Sequence, residues 1–169
     1  MISDGGLTAL EVIGVAIKSE IEAAELYARM RGQVRNASLA AKLDFLRREE
    51  EKHRVMLEEL YVKRFPDVDL QLPAQSAIPK LDQASLGGLT MPELFEMAME
   101  AEQLAAGFYL REAARSRDEV SRTILRYLGN IEQGHQQMLQ TEYELVSRFP
   151  NYYNADEFHI GDQMMHVGP

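Results

Sequence analysis

The sequence predicts an all-α fold, a four-helix bundle built from two repeated antiparallel helical hairpins joined by a long crossover. Three observations lead there. Four segments carry apolar residues at helical spacing, period-two β-branched runs are absent, and every Pro lies at or beyond an end of one of these segments. The chain also repeats itself. Shifted by 82 residues, Leu7 to Tyr61 aligns with Leu89 to Tyr143 with seventeen identities over fifty-five positions, where chance gives about three or four. Finally, the connections inside each half are short and the connection between the halves is long, which is the pattern of two hairpins rather than of four helices in simple succession.

The first helix is expected from about Leu7 to Arg31, the second from Ala37 to Lys63, the third from Met91 to Arg115 and the fourth from Asp118 to Arg148. Thr8 with Glu11, Thr90 with Glu93 and Ser116 with Glu119 each fit a capping box, in which hydroxyl and carboxylate satisfy orphan amide donors reciprocally. Pro66 and Pro150, each after Arg-Phe, stop the second and fourth helices because proline cannot donate the next hydrogen bond. Between the hairpins, about 27 residues from Arg64 to Thr90, rich in Pro, Gly, Ser and Asp, are enough to cross a bundle from end to end. The expected organisation is a bundle over residues 1–150 followed by a tail over 151–169.

Composition narrows the chemistry. With 169 residues, 46% of them apolar, one domain with a buried core is expected. A formal charge of −9 gives no basic footprint, so nucleic acid is excluded as a partner. The apolar run Val12 to Ile17 is too short to span a membrane, and Asp4 stands where a signal peptide carries positive charge, so a cytoplasmic protein is expected. The absence of Cys removes disulfides, zinc ribbons, Cys-bound clusters and thiol nucleophiles. A metal site here must use His and carboxylates.

Such residues stand on the apolar stripes. The inward stripe of the second helix reads Leu39, Leu43, Leu46, Glu50, His53, Leu57, Leu60, and that of the fourth reads Leu125, Leu128, Glu132, His135, Leu139. Glu20 and Glu102 lie on the corresponding stripes of the first and third helices. All six are kept in register by the repeat, which a plain hydrophobic core does not require. Glu20 and Glu50 are thirty residues apart around a turn near residue 35, as are Glu102 and Glu132 around a turn near 117, so each lies about 20 Å down its helix and all share one layer. Four buried carboxylates would cost several kcal/mol per uncompensated ion, of the order expected after relaxation. Two divalent cations balance them, and mixed carboxylate and imidazole ligation suits iron or manganese. One Glu-x-x-His alone means little, since 19 Glu and four His give about 0.4 by chance. Two in repeat register mean more.

As a set, Glu20-x6-Tyr27, Glu50-Glu-Lys-His53, Glu102-x6-Tyr109 and Glu132-Gln-Gly-His135 resemble the rubrerythrin-type branch of the ferritin-like superfamily over residues 7–148. The resemblance implies a ferritin-like bundle around two iron ions in a non-haem di-iron centre, with manganese as the alternative metal. Glu20 and Glu102 would be mainly terminal ligands, Glu50 and Glu132 mainly bridging, with His53 and His135 one to each metal. It further implies reduction of hydrogen peroxide or dioxygen, with electrons from a separate donor protein such as a rubredoxin, and a homodimer is expected. The sequence departs from that pattern in two places. Without Cys it has no ligands for a rubredoxin-type iron, and Ala105 stands where rubrerythrins usually carry a further Glu. Glu51 replaces the Met that ligates haem in bacterioferritins, which argues against haem.

Alternative functions are a ferroxidase or iron-storage protein similar to bacterioferritin, a dimanganese catalase-like enzyme, and a metal-free interaction module. Tyr27 and Tyr109 are candidate catalytic residues acting on the ligands, expected to lean toward Glu132 and His135 and toward Glu50 and His53 respectively, although aromatics at helical spacing are commonly core. The nine Met are read as core filler. Glu49, Glu51, Lys52 and Arg54 are read as solvated surface. In the tail, His159 and His166 are left without a role, and Phe65, Phe149, Tyr152, Tyr153 and Phe158 are candidates to cover a bundle end or meet a partner.

Overall fold

Each helix begins where a short polar side chain takes up amide donors that the first turn leaves orphaned. In the computed structural model, which describes residues 7–74, 76–77 and 88–155, these are α1 (Ala9–Gly32), α2 (Ala37–Arg64), α3 (Met91–Arg115) and α4 (Glu119–Arg148). Thr8 and Thr90 complete capping boxes with Glu11 and Glu93. The third expected box does not form. Asp118 is the N-cap of α4 and accepts from the Ser121 amide at 2.7 Å, while Ser116 ends α3. A carboxylate two residues downstream outcompetes the hydroxyl, and its repeat partner Asn36 caps α2 through the Leu39 amide at 3.0 Å. Phe65 and Phe149 close α2 and α4, each donating its amide to the carbonyl four residues back, and the following Pro ends the ladder.

The core forms two apolar clusters. One holds Leu26, Met30, Leu39, Leu43, Leu46, Leu94, Phe95 and Leu139; the other holds Ile13, Ile17, Leu57, Tyr61, Phe108, Leu125 and Leu128. Burying each large aliphatic side chain contributes about 1.5–3 kcal/mol relative to exposure. The first cluster joins the C-terminal half of α1 to the N-terminal half of α3, and the N-terminal half of α2 to the C-terminal half of α4. Thus α1 runs antiparallel to both α2 and α3, and the crossover must travel the length of the bundle. It does so along α1: the Lys18 ammonium donates to the carbonyls of Pro73 (2.9 Å) and Ala74 (2.8 Å), and the Ala77 amide donates to Ser19 Oγ at 2.9 Å. Gly14 lies beneath it, where a Cβ would already touch Pro73 at 3.4 Å.

Beyond α4 a 3-10 turn, Tyr152–Asn154, folds over the end of the bundle. Tyr152 is buried in the first cluster, and the Tyr153 carbonyl accepts from the amides of Arg35 and Asn36 in the α1–α2 turn. Phe158, His159 and His166 lie outside the described residues. No helix among the described residues is long and apolar enough to cross a membrane.

Candidate metal centre

Between the two apolar clusters lies a polar layer. Glu20, Glu50, His53, Glu102, Glu132 and His135 meet there from all four helices, none more than 4% exposed. Helical spacing puts Glu50 and His53, and likewise Glu132 and His135, on one face, and the level positions of Glu20 and Glu102 on α1 and α3 close the ring. His53 Nδ1 lies 3.3 Å from Glu20 Oε2, 3.2 Å from Glu50 Oε2 and 3.1 Å from Glu132 Oε1. His135 Nδ1 lies 3.9 Å from Glu102 Oε2, 3.0 Å from Glu50 Oε1 and 2.8 Å from Glu132 Oε2. Glu50 and Glu132 therefore each present one oxygen to each imidazole, whereas Glu20 faces only His53 and Glu102 only His135. The two rings stack with centroids 5.7 Å apart.

These donors are close but poorly satisfied. Glu50 Oε1, both Glu132 oxygens and His135 Nδ1 are buried without a hydrogen bond of acceptable geometry, although they approach one another within ion-pair distance. Buried polar atoms are nearly always paired, so a cluster of orphans that are all ligand atoms fits an arrangement shaped for cations. The ligand atoms form two groups, Glu20–Glu50–His53–Glu132 and Glu50–Glu102–Glu132–His135, each within 4.8 Å of one another. Hard carboxylate oxygen with imidazole nitrogen and no sulfur is a donor set for iron, manganese or zinc.

Electrostatics carry the same message. Burial pushes Glu20 and Glu102 well above the usual carboxylate range, and the neighbouring carboxylates add to it. Burial also pushes Glu132 upward, but its contacts with His135 and His53 outweigh this and hold it at about 2. Burial would lower both imidazoles; their carboxylate contacts dominate, carrying His135 up to about 9 and His53 higher. Without cations the layer holds protons instead.

Tyr27 and Tyr109 point elsewhere than the sequence suggested. Tyr27 donates to Glu102 Oε1, and Tyr109 to Glu20 Oε1. Side chains lean toward the N-terminus of their own helix, and α1 packs antiparallel against α3. A Tyr two turns beyond the layer on one helix therefore leans back to meet the Glu of the other. Burial first, and the neighbouring carboxylate second, raise both phenols well above their ordinary value, so they are protonated donors. Each holds the outer oxygen of its Glu and leaves Oε2 facing the imidazole.

Other buried acids were not foreseen. Glu142 is 3% exposed and receives Lys42 and the Tyr152 hydroxyl (3.0 Å), tying the start of the tail to the bundle. Its repeat partner is Leu60, and the change from Leu to Glu at an inward position is the signal that marks it. Glu49, Glu51, Lys52 and Arg54 lie on the outside in pairs along α2. Ala105 is buried beside Glu20, Glu50, Glu102 and Glu132 in a small cavity between α1 and α3.

Four helices with a long crossover and a buried carboxylate–histidine layer define a ferritin-like bundle with a candidate dinuclear centre. The sequence profile of the family described as Rubrerythrin matches residues 11–143, and the chain belongs to that family. A solved structure of a hypothetical protein from Pyrococcus furiosus is similar, with 31% identity, a TM-score of 0.72, and coverage of 85% of this chain and 92% of that one. No curated protein matches.

Proposed function

We propose that this protein is a non-haem di-iron oxidoreductase that reduces hydrogen peroxide or dioxygen with electrons from a separate donor protein, as a homodimer. The observation that carries the reading is the shared pair, Glu50 and Glu132, each offering one oxygen toward His53 and the other toward His135. That geometry suits bridging carboxylates, with Glu20 and His53 completing one metal and Glu102 and His135 the other.

Two iron ions, which Glu20, Glu50, His53, Glu102, Glu132 and His135 would hold, would supply the two electrons needed to cleave an O–O bond, while the protein sets their positions and surroundings. Four carboxylates balance two divalent cations, so the loaded layer is neutral and tolerates burial. The apolar clusters on either side keep bulk water from the layer. Tyr109 and Tyr27 fix the outer oxygens of Glu20 and Glu102 and hold a proton one atom from each ligand oxygen. Reducing one peroxide to two waters consumes two electrons and two protons, and these phenols are buried neutral donors bonded directly to the candidate ligand carboxylates.

The test is anaerobic mixing of reduced, iron-loaded protein with hydrogen peroxide. About one peroxide should be consumed per pair of irons, followed by turnover when a donor is supplied. The variants Glu50→Ala and His53→Ala should lose both metal uptake and this reaction. Retention of iron far beyond two per chain in a large shell would favour storage, and dioxygen release with manganese would favour catalase-like disproportionation.

A further inference from the structure

The repeat allows the two hairpins to be compared position by position around the polar layer. On the first hairpin a groove of about 260 Å³ opens between α1 and α2, walled by Ala24, Ala28, Arg47 and Glu51, with the 3%-exposed Glu20 on its inner wall. At the copied positions of the second hairpin stand Ala106, Leu110, Gly129 and Gln133. There Leu110 lies in the notch that Gly129 leaves: a Cβ on Gly129 would fall 2.8 Å from Leu110 Cγ and 2.9 Å from Cδ2. The consequence appears in the alanines, for Ala106 is buried while its copy Ala24 is only half-buried.

The groove is also chemically distinct from its copy. Glu25 and Glu51 on its rim and Glu20 on its inner wall set carboxylates in steps from solvent to the layer, and the copies of the two rim acids are the uncharged Gly107 and Gln133. Arg47 and Arg54 also line the groove and are neutralised by acids of α2, Arg47 by the rim Glu51 itself (2.5 Å) with Asp44 at 3.9 Å, and Arg54 by Glu58 (2.7 Å), so an entering cation takes Glu51 in exchange for Arg47. A divalent cation moving inward can exchange water for carboxylate oxygen stepwise, which avoids the desolvation cost of shedding its shell at once.

We propose that the groove over Glu20 is the port through which divalent metal ions reach and leave the centre, and that Leu110 packed on Gly129 seals the matching face over Glu102. This rests on the metal-centre reading above. Transplanting the seal in the double variant A28L/R47G should slow cobalt(II) uptake, followed by its absorption on mixing with metal-free protein, by about tenfold or more with the final stoichiometry unchanged. Adding L110A, which opens the second face but finds Gly107 and Gln133 where the first has Glu25 and Glu51, should restore the rate only in part. The single variant A28L keeps every charge of the groove and should slow uptake less. Wild-type rates in both closed variants would overturn the port alone. A wild-type chain that takes up no cobalt(II) would overturn the metal-centre reading with it.

Discussion

Tyr109 holds one oxygen of Glu20 and leaves the other facing His53, and Tyr27 does the same for Glu102. Replacing Tyr109 by Phe leaves a buried carboxylate oxygen without its donor and should cost about 1–3 kcal/mol in denaturant unfolding, while metal stoichiometry stays at the wild-type value. The imidazoles make a prediction of opposite visibility. His135 moves from an ordinary 6.5 to about 9 in the metal-free fold, so its stabilisation is complete below pH 6.5 and is lost as pH rises through about 9. The raised Glu20 and Glu102 act in the same direction, since the fold keeps protons that the unfolded chain releases. The melting temperature of metal-free protein should therefore fall between pH 6.5 and 9, and metal, which replaces those protons, should flatten the fall. At this scale the six layer residues were legible in the sequence, because a polar residue that interrupts an apolar stripe twice in register has no packing reason to be there. The tyrosine partners were not, because they depend on which helices touch.

Helix limits show the same division. The Arg-Phe-Pro stops and the Thr-x-x-Glu starts act locally, and structure and sequence agree on them to within two residues. The start of α4 agrees to within one residue, but its cap differs, because two caps compete within three residues and the carboxylate of Asp118 wins over the hydroxyl of Ser116. Asp118→Ala should then cost about 0.5–2 kcal/mol, whereas Ser116→Ala, decisive if a capping box formed there, should cost much less; thermal unfolding of the two variants separates them. The path of the crossover along α1 was beyond local signals, since Lys18 and Ser19 bind backbone more than fifty residues away.

Across the whole molecule, the long crossover sets the direction of α3, and that direction decides what surrounds the polar layer. With α1 antiparallel to α3, and α2 to α4, the level glutamates of the two hairpins converge at mid-height between two apolar clusters instead of at separate depths. Duplication makes the centre nearly two-fold, and its departures from symmetry, Glu142 against Leu60 and Leu110 on Gly129 against Ala28 beside Arg47, lie outside the layer. The most direct test of the central claim is anomalous diffraction at the iron edge from crystals grown without chelator. Two peaks are predicted within the layer, one bounded by Glu20 and His53, the other by Glu102 and His135, both sharing Glu50 and Glu132. A layer without anomalous signal, its glutamates rotated toward solvent, would contradict it.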